Sequence, residues 1–183
     1  MTTAAFRTHA GAPARPLRDP PARDRMFPRL GARTRRTVLI THLAATGIWL
    51  GMDVVLGALV ATAFASPAGD APVIARAIAA FIGWPLVTAA LLTLVSGVVL
   101  GLGSKFGLLR YRWVTVKLVL TIVLISLVLA VLVPSVAELA AATSAGVPAG
   151  YVVDQQLIFP PVVSTLALLF AMTLSVIKPW GRR

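Results

Sequence analysis

The chain has 183 residues, of which 58% are hydrophobic and 13% charged, with a net charge of +11 and a mean hydropathy of +0.89. Its apolar residues fall in blocks longer than a soluble core helix needs, which excludes a water-soluble globular domain. It has no cysteine, which excludes disulfides, thiol catalysis and sites in which Cys holds zinc, an iron–sulfur cluster or covalent haem.

Residues 1–36 combine five prolines with nine arginines and cannot bury a core, so a disordered basic segment is expected there. No separate apolar stretch precedes Val38, so the first span is expected to act as an uncleaved signal-anchor. An organellar transit peptide, or a start at Met26 that leaves Arg29, Arg33, Arg35 and Arg36 as a short basic lead, are the other readings of this segment.

Four apolar blocks follow, Val38 to Ala65, Pro72 to Leu102, Trp113 to Pro134 and Ile158 to Ile177. Each reaches the roughly 20 residues that cross about 30 Å of hydrocarbon as a helix. None alternates polar with apolar, which excludes a β-barrel, and backbone groups without water demand helices. The expected fold is all-α: a polytopic four-helix membrane bundle over residues 37–183.

Fifteen of the seventeen basic residues lie before the first span, between spans two and three (Lys105, Arg110, Arg112), or after span four (Lys178, Arg182, Arg183). Asp70, Glu138 and Asp154 fall in the other loops. The positive-inside rule therefore puts both termini in the cytoplasm, in a multi-pass protein of the cytoplasmic (inner) membrane. Its high pI signals topology and contact with anionic lipids rather than nucleic-acid binding.

Short connections make spans one and two, and spans two and three, antiparallel neighbours. The segment from Leu139 to Leu157 is longer, and is read either as a cap over the bundle or as a plain connector. Gly47 with Gly51, and Gly97 with Gly101, have the four-residue spacing that suits close helix approach in lipid. Gly83-Trp84-Pro85 predicts a kink in span two, and Pro160-Pro161 fits the entrance of span four.

Ionisable groups inside spans are the candidate functional residues, because each is costly in hydrocarbon. His42, Trp49 and Asp53 are separated by seven and eleven residues from the first, and at 100° per residue they fall within about 20° of one direction. Thr46 and Gly57 lie near the same stripe. Asp53 is about 16 Å along the helix from His42. Lys117 lies four residues into the third span, as His42 does in the first, so the two stand at similar depth and can face one another. The alternative is that Lys117 snorkels to the headgroups while His42 bonds a carbonyl.

The string Thr41-His42-Leu43-Ala44-Ala45-Thr46-Gly47-Ile48-Trp49-Leu50-Gly51 resembles the first-helix motif of the copper-resistance D-type and HemJ-type membrane families. There a His is followed by Trp seven residues later and then by Gly. Trp113 with Lys117 resembles the third-helix motif of the HemJ type. Beyond residue 36 most of the chain resembles a family of four-span bacterial membrane proteins of unknown function. The shared segments are Gly101-Leu102-Gly103-Ser104-Lys105-Phe106-Gly107-Leu108-Leu109-Arg110-Tyr111 and the ending Lys178-Pro179-Trp180-Gly181.

The HemJ likeness implies haem b held between His42 and Lys117, with Trp49 and Asp53 on the same face as His42. If the protein is an enzyme, that makes it a haem-dependent membrane oxidoreductase. The HemJ type carries an Arg after the first motif and a further His after the Lys, whereas Asp53 to Val60 and Leu118 to Val128 contain neither. The likeness therefore supports a shared scaffold more than protoporphyrinogen oxidation. A neutral imidazole and a neutral amine both carry a donor lone pair, and Met52 and Met172 are apolar packing for a porphyrin. Lone copper is disfavoured, since the only histidines are His9 and His42, and no metal site is expected. Two other classes stay open: a small proton- or solute-handling protein that uses Asp53 and implies a homo-oligomer, and a non-catalytic assembly partner.

Overall fold

The structure of the protein, a computed structural model, describes residues 30–65, 70–103, 108, 111–145 and 155–177. The lead up to Arg29 with His9 and Met26, the loop residues Lys105 and Arg110, the acid Asp154 and the ending Lys178-Pro179-Trp180-Gly181 lie outside the described residues. The described residues are 94% helical with no strand. Four of the helices are long and apolar enough to cross a membrane.

Helix α1 (Ala32–Ala65) begins six residues before the expected span, so Arg33, Arg35 and Arg36 lie in its first two turns rather than in a disordered lead. Ala and Arg are good helix formers, and they extend the apolar helix toward its basic end. One stripe of α1 is buried: Ala45, Trp49, Asp53, Leu56 and Val60, at separations of four, four, three and four. Against it pack α2 (Ala71–Ile82), α3 (Trp84–Leu102) and α6 (Phe159–Ile177), with α3 the most extensive partner. The neighbours are antiparallel. Gly103, just past α3, abuts Leu30 before α1, and Gly57 late in α1 meets Pro161 early in α6.

The second span is two helices, as the Gly83-Trp84-Pro85 string predicts. At Gly83 the backbone leaves the helix (φ −57°, ψ −131°), and Pro85 in the next turn has no N–H to continue the ladder. Freed from the line of α3, α2 packs on α5 (Val133–Ser144) as well as on α1.

The third span corrects two expectations. Pro134 does not end it, and residues up to Ser144 are helical rather than a connector, so Glu138 is on a helix. After α4 (Arg112–Leu127) the chain makes a π-helical turn, Val128–Leu132, and continues as α5. The Val133 amide donates to the Val128 carbonyl five residues back. This wide turn is the physical reason that Pro134 is tolerated. In an α-helix its ring would collide with the carbonyl four residues earlier, and the extra residue relieves that crowding. A short 3-10 turn, Gln155–Ile158, leads into α6.

The small-residue expectation holds at Gly97, while Gly101 meets Leu108 of the following connection and not another helix, and it fails for Gly47 with Gly51. A Cβ on Gly97 would come within 3.1 Å of the His42 ring, so α1 and α3 are closely apposed there. Gly47 and Gly51 have nothing within 4 Å and face outward. The outside is otherwise apolar, with Val73, Val95 and Leu166 among its exposed residues, as a lipid-facing surface should be.

Leu56→Ala and Ile78→Ala, at buried positions, should each cost about 2–5 kcal/mol. Val54→Ala, 61% exposed, should cost less than about 0.5 kcal/mol. Reversible unfolding in mixed micelles measures the difference, and equal losses at all three sites would contradict this inside and outside.

Candidate functional site

Two polar layers lie along α1, one near its basic end and one further along. In the first, His42 Nδ1 is 3.1 Å from the Thr93 carbonyl oxygen and 3.0 Å from Ser96 Oγ, both on α3. The Ser96 hydroxyl donates to backbone carbonyls of its own helix, at Leu92 or Thr93, leaving its oxygen to accept. Both neighbours of Nδ1 are thus acceptors, so the neutral ring carries its proton there and Nε2 keeps the lone pair.

Lys117 in α4 is half-buried. Its amine donates to Ser175 Oγ on α6 at 2.8 Å and lies 4.9 Å from the centre of the Trp113 ring, one turn earlier on its own helix. A hydroxyl and an aromatic face therefore compensate the ammonium, and both lie toward the basic end of the bundle. Lys117 is close enough for its charge to act on His42. The two side chains are nevertheless anchored to different helices, His42 to α3 and Lys117 to α6.

The second layer centres on Asp53. This carboxyl is 3% exposed and its Oδ2 has no hydrogen-bond partner. Ser164 on α6 is beside it, yet Ser164 Oγ also lacks a bond of acceptable geometry, as does Trp49 Nε1 one turn back on α1. The close approach of Ser164 without an aligned bond makes it a neighbour of Asp53 and not its satisfied partner. Asp53 and Ser164 line a cavity of about 440 Å³. The cavity is walled by α4, by the π turn through Val128 and Leu132, and by the 3-10 turn through Leu157, with Ser135 and Glu138 of α5 on its far side.

The π turn forms part of the wall of this space. Beyond it α5 packs on α2 and has few contacts with α6, so the third and fourth spans are apart above Asp53. A second hollow, lined by Thr115, Val116, Val119, Leu120 and Val123, is a shallow groove along α4.

Sequence reasoning placed His42, Trp49 and Asp53 on one face, and the structure buries Trp49 and Asp53 on one stripe with His42 half-buried at its end. It missed Ser96, Ser175, Ser164 and Glu138. The depth matching that linked His42 with Lys117 was available for two of these, since Ser96 and Ser175 are near the ends of antiparallel spans. Comparison of the chain with protein-family models, with curated proteins and with solved structures finds no match.

Haem between His42 and Lys117 fits on one side only. His42 meets the requirement for a ligand, with Nδ1 anchored and Nε2 free. Lys117 does not, because its amine is committed to Ser175 and Trp113, and neither hollow is lined by His42 or Lys117.

Nitrogen-15 spectra of histidine-labelled protein should show neutral His42 protonated at Nδ1. Ser96→Ala should preserve that tautomer, because the Thr93 carbonyl still accepts, while Gly97→Ala should move the His42 resonances by crowding its ring. An Nε2-protonated neutral ring would refute the assignment.

Proposed function

We propose that this chain is a multi-pass membrane protein that exchanges a proton for a cationic solute at Asp53, with both termini cytoplasmic. One observation carries the reading: a buried carboxyl with an unpartnered oxygen forms part of the wall of a cavity inside the bundle. A bare carboxylate is costly in hydrocarbon, so the group takes up either a proton or a cation. Exchange between them needs a space through which the cation arrives, and the gap between α5 and α6 supplies it.

The orientation rests on Arg33, Arg35, Arg36 and Arg112, exposed on the first turns of α1 and α4 at one end of the bundle. Anionic headgroups suit that end. The chain has no cysteine, so single cysteines introduced at Thr8 and Arg183 should react with an impermeant maleimide only in inverted vesicles. Labelling from the outer face would reverse the orientation.

In proteoliposomes the lipid-soluble reagent dicyclohexylcarbodiimide should form an adduct at Asp53, identified by mass spectrometry and lost in Asp53→Asn. An unmodified Asp53 in folded protein would remove this reading.

A second reading is favoured by the free Nε2 of His42: haem b, which His42 would hold and which Lys117 would join only on leaving Ser175. Purified protein with a Soret band that disappears in His42→Ala and Lys117→Ala would establish it. Colourless protein that takes up no added haemin would discard it.

A further inference from the structure

We infer that the Asp53 cavity takes an amphiphilic organic ammonium ion, with its head on the Asp53 carboxylate and its apolar body along the walls formed by α4, the π turn and α6. It enters from the bilayer between α5 and α6. The inference rests on the reading of Asp53 as the binding group and adds the class of ligand and its route.

The sign of the charge follows from the lining. Among the described residues it contains two acids, Asp53 in the depth and Glu138 exposed at the mouth, and no Lys, Arg or His. An anion would meet repulsion at both, whereas a cation meets one carboxylate on the way in and another at the end.

A metal ion is a poor match. Calcium takes about 6–8 oxygen ligands and magnesium about six. The depth of the cavity offers the Asp53 carboxyl and the Ser164 hydroxyl as side-chain oxygens. Among the described residues no three His, Cys, Asp or Glu side chains cluster. An alkylammonium has weaker demands, because one carboxylate neutralises it and the alkyl groups on nitrogen prefer an apolar wall.

The remaining walls are Leu, Val, Phe and Pro side chains, and the volume of about 440 Å³ lies within the range of small-molecule sites. Ser164 adds a hydroxyl beside the carboxyl that is not used by its own helix. The route follows from the lip, where Leu127, Val131, Phe159 and Val163 are exposed and apolar. An amphiphile dissolved in the bilayer can slide its tail past them without crossing water, its head drawn by Glu138 and then by Asp53. Charge balances when the incoming monovalent cation displaces the proton of Asp53.

The test uses full-length protein in liposomes and the rate of carbodiimide modification at Asp53. Three probes share an eight-carbon tail: octyltrimethylammonium, whose charge is permanent, octanol and octanoate. The ammonium should slow modification at least tenfold with saturation, while the alcohol and the carboxylate leave the rate unchanged. Val131→Trp, which narrows the lip, should raise the ammonium concentration needed for protection without abolishing modification. Equal protection by all three probes would overturn the inference, since the tail alone would then be recognised. Modification that none of them slows would overturn it too, while leaving Asp53 as a reactive intramembrane carboxyl. An Asp53 that never reacts instead removes the underlying site.

Discussion

Inside a bilayer a hydroxyl, an indole N–H or a carboxyl has no water to turn to, and the organisation of this bundle follows from where each such group finds a partner. Most serine and threonine hydroxyls solve the problem locally. Thr46, Thr62, Thr93, Ser96, Thr121, Ser126, Thr173 and Ser175 each donate to the carbonyl four residues earlier on the same helix. That leaves their oxygens free to accept, and two of them do so across helices, Ser96 from His42 and Ser175 from Lys117. Against this pattern Ser164 stands apart. It is buried, makes no such bond, and lies beside the Asp53 carboxyl whose Oδ2 is also unpartnered. Of the buried groups left without a partner among the described residues, Asp53 and Ser164 line the cavity and Trp49 does not.

Two backbone irregularities mark the spans around the cavity, and one of them, the π turn, is part of its wall. Pro134 cannot sit in a regular α-helix, and the π turn that accommodates it shifts everything beyond it. The break at Gly83 frees α2 to follow, so α5 leans on α2 and leaves α6 to α1. Two proline-linked irregularities in different spans thus flank one gap. Neither contributes a polar atom to the site.

Much of this was legible and some was not, for reasons that can be named. The spacing of His42, Trp49 and Asp53 is a property of one helix, so it could be read from the sequence. The same holds for Trp113 beneath Lys117, a four-residue separation. What Lys117 bonds to is fifty-eight residues away, and a lone Ser175 in an apolar run carries no local mark of its role. Gly47 and Gly97 are equivalent as letters, yet one faces outward and the other touches His42, because only the neighbouring helix distinguishes them. Pro134 read as a stop because sequence rules treat proline as a helix breaker. The wide turn before it lets the helix go on, and that moved Glu138 from a loop to the rim of the cavity.

The separation of the two polar layers bears on how such a site works. His42 and Asp53 lie on the same helix about 16 Å apart. Between them on the buried side is Trp49, which is wholly enclosed and packs in one apolar cluster with Leu86, Ala89 and Ala90. An indole in that position fills the interval with ring rather than water. Under the proposed exchange Asp53 would be served from the gap between α5 and α6, and passage to the basic end would require Trp49 to move, which would let its unpartnered Nε1 gain a hydrogen bond.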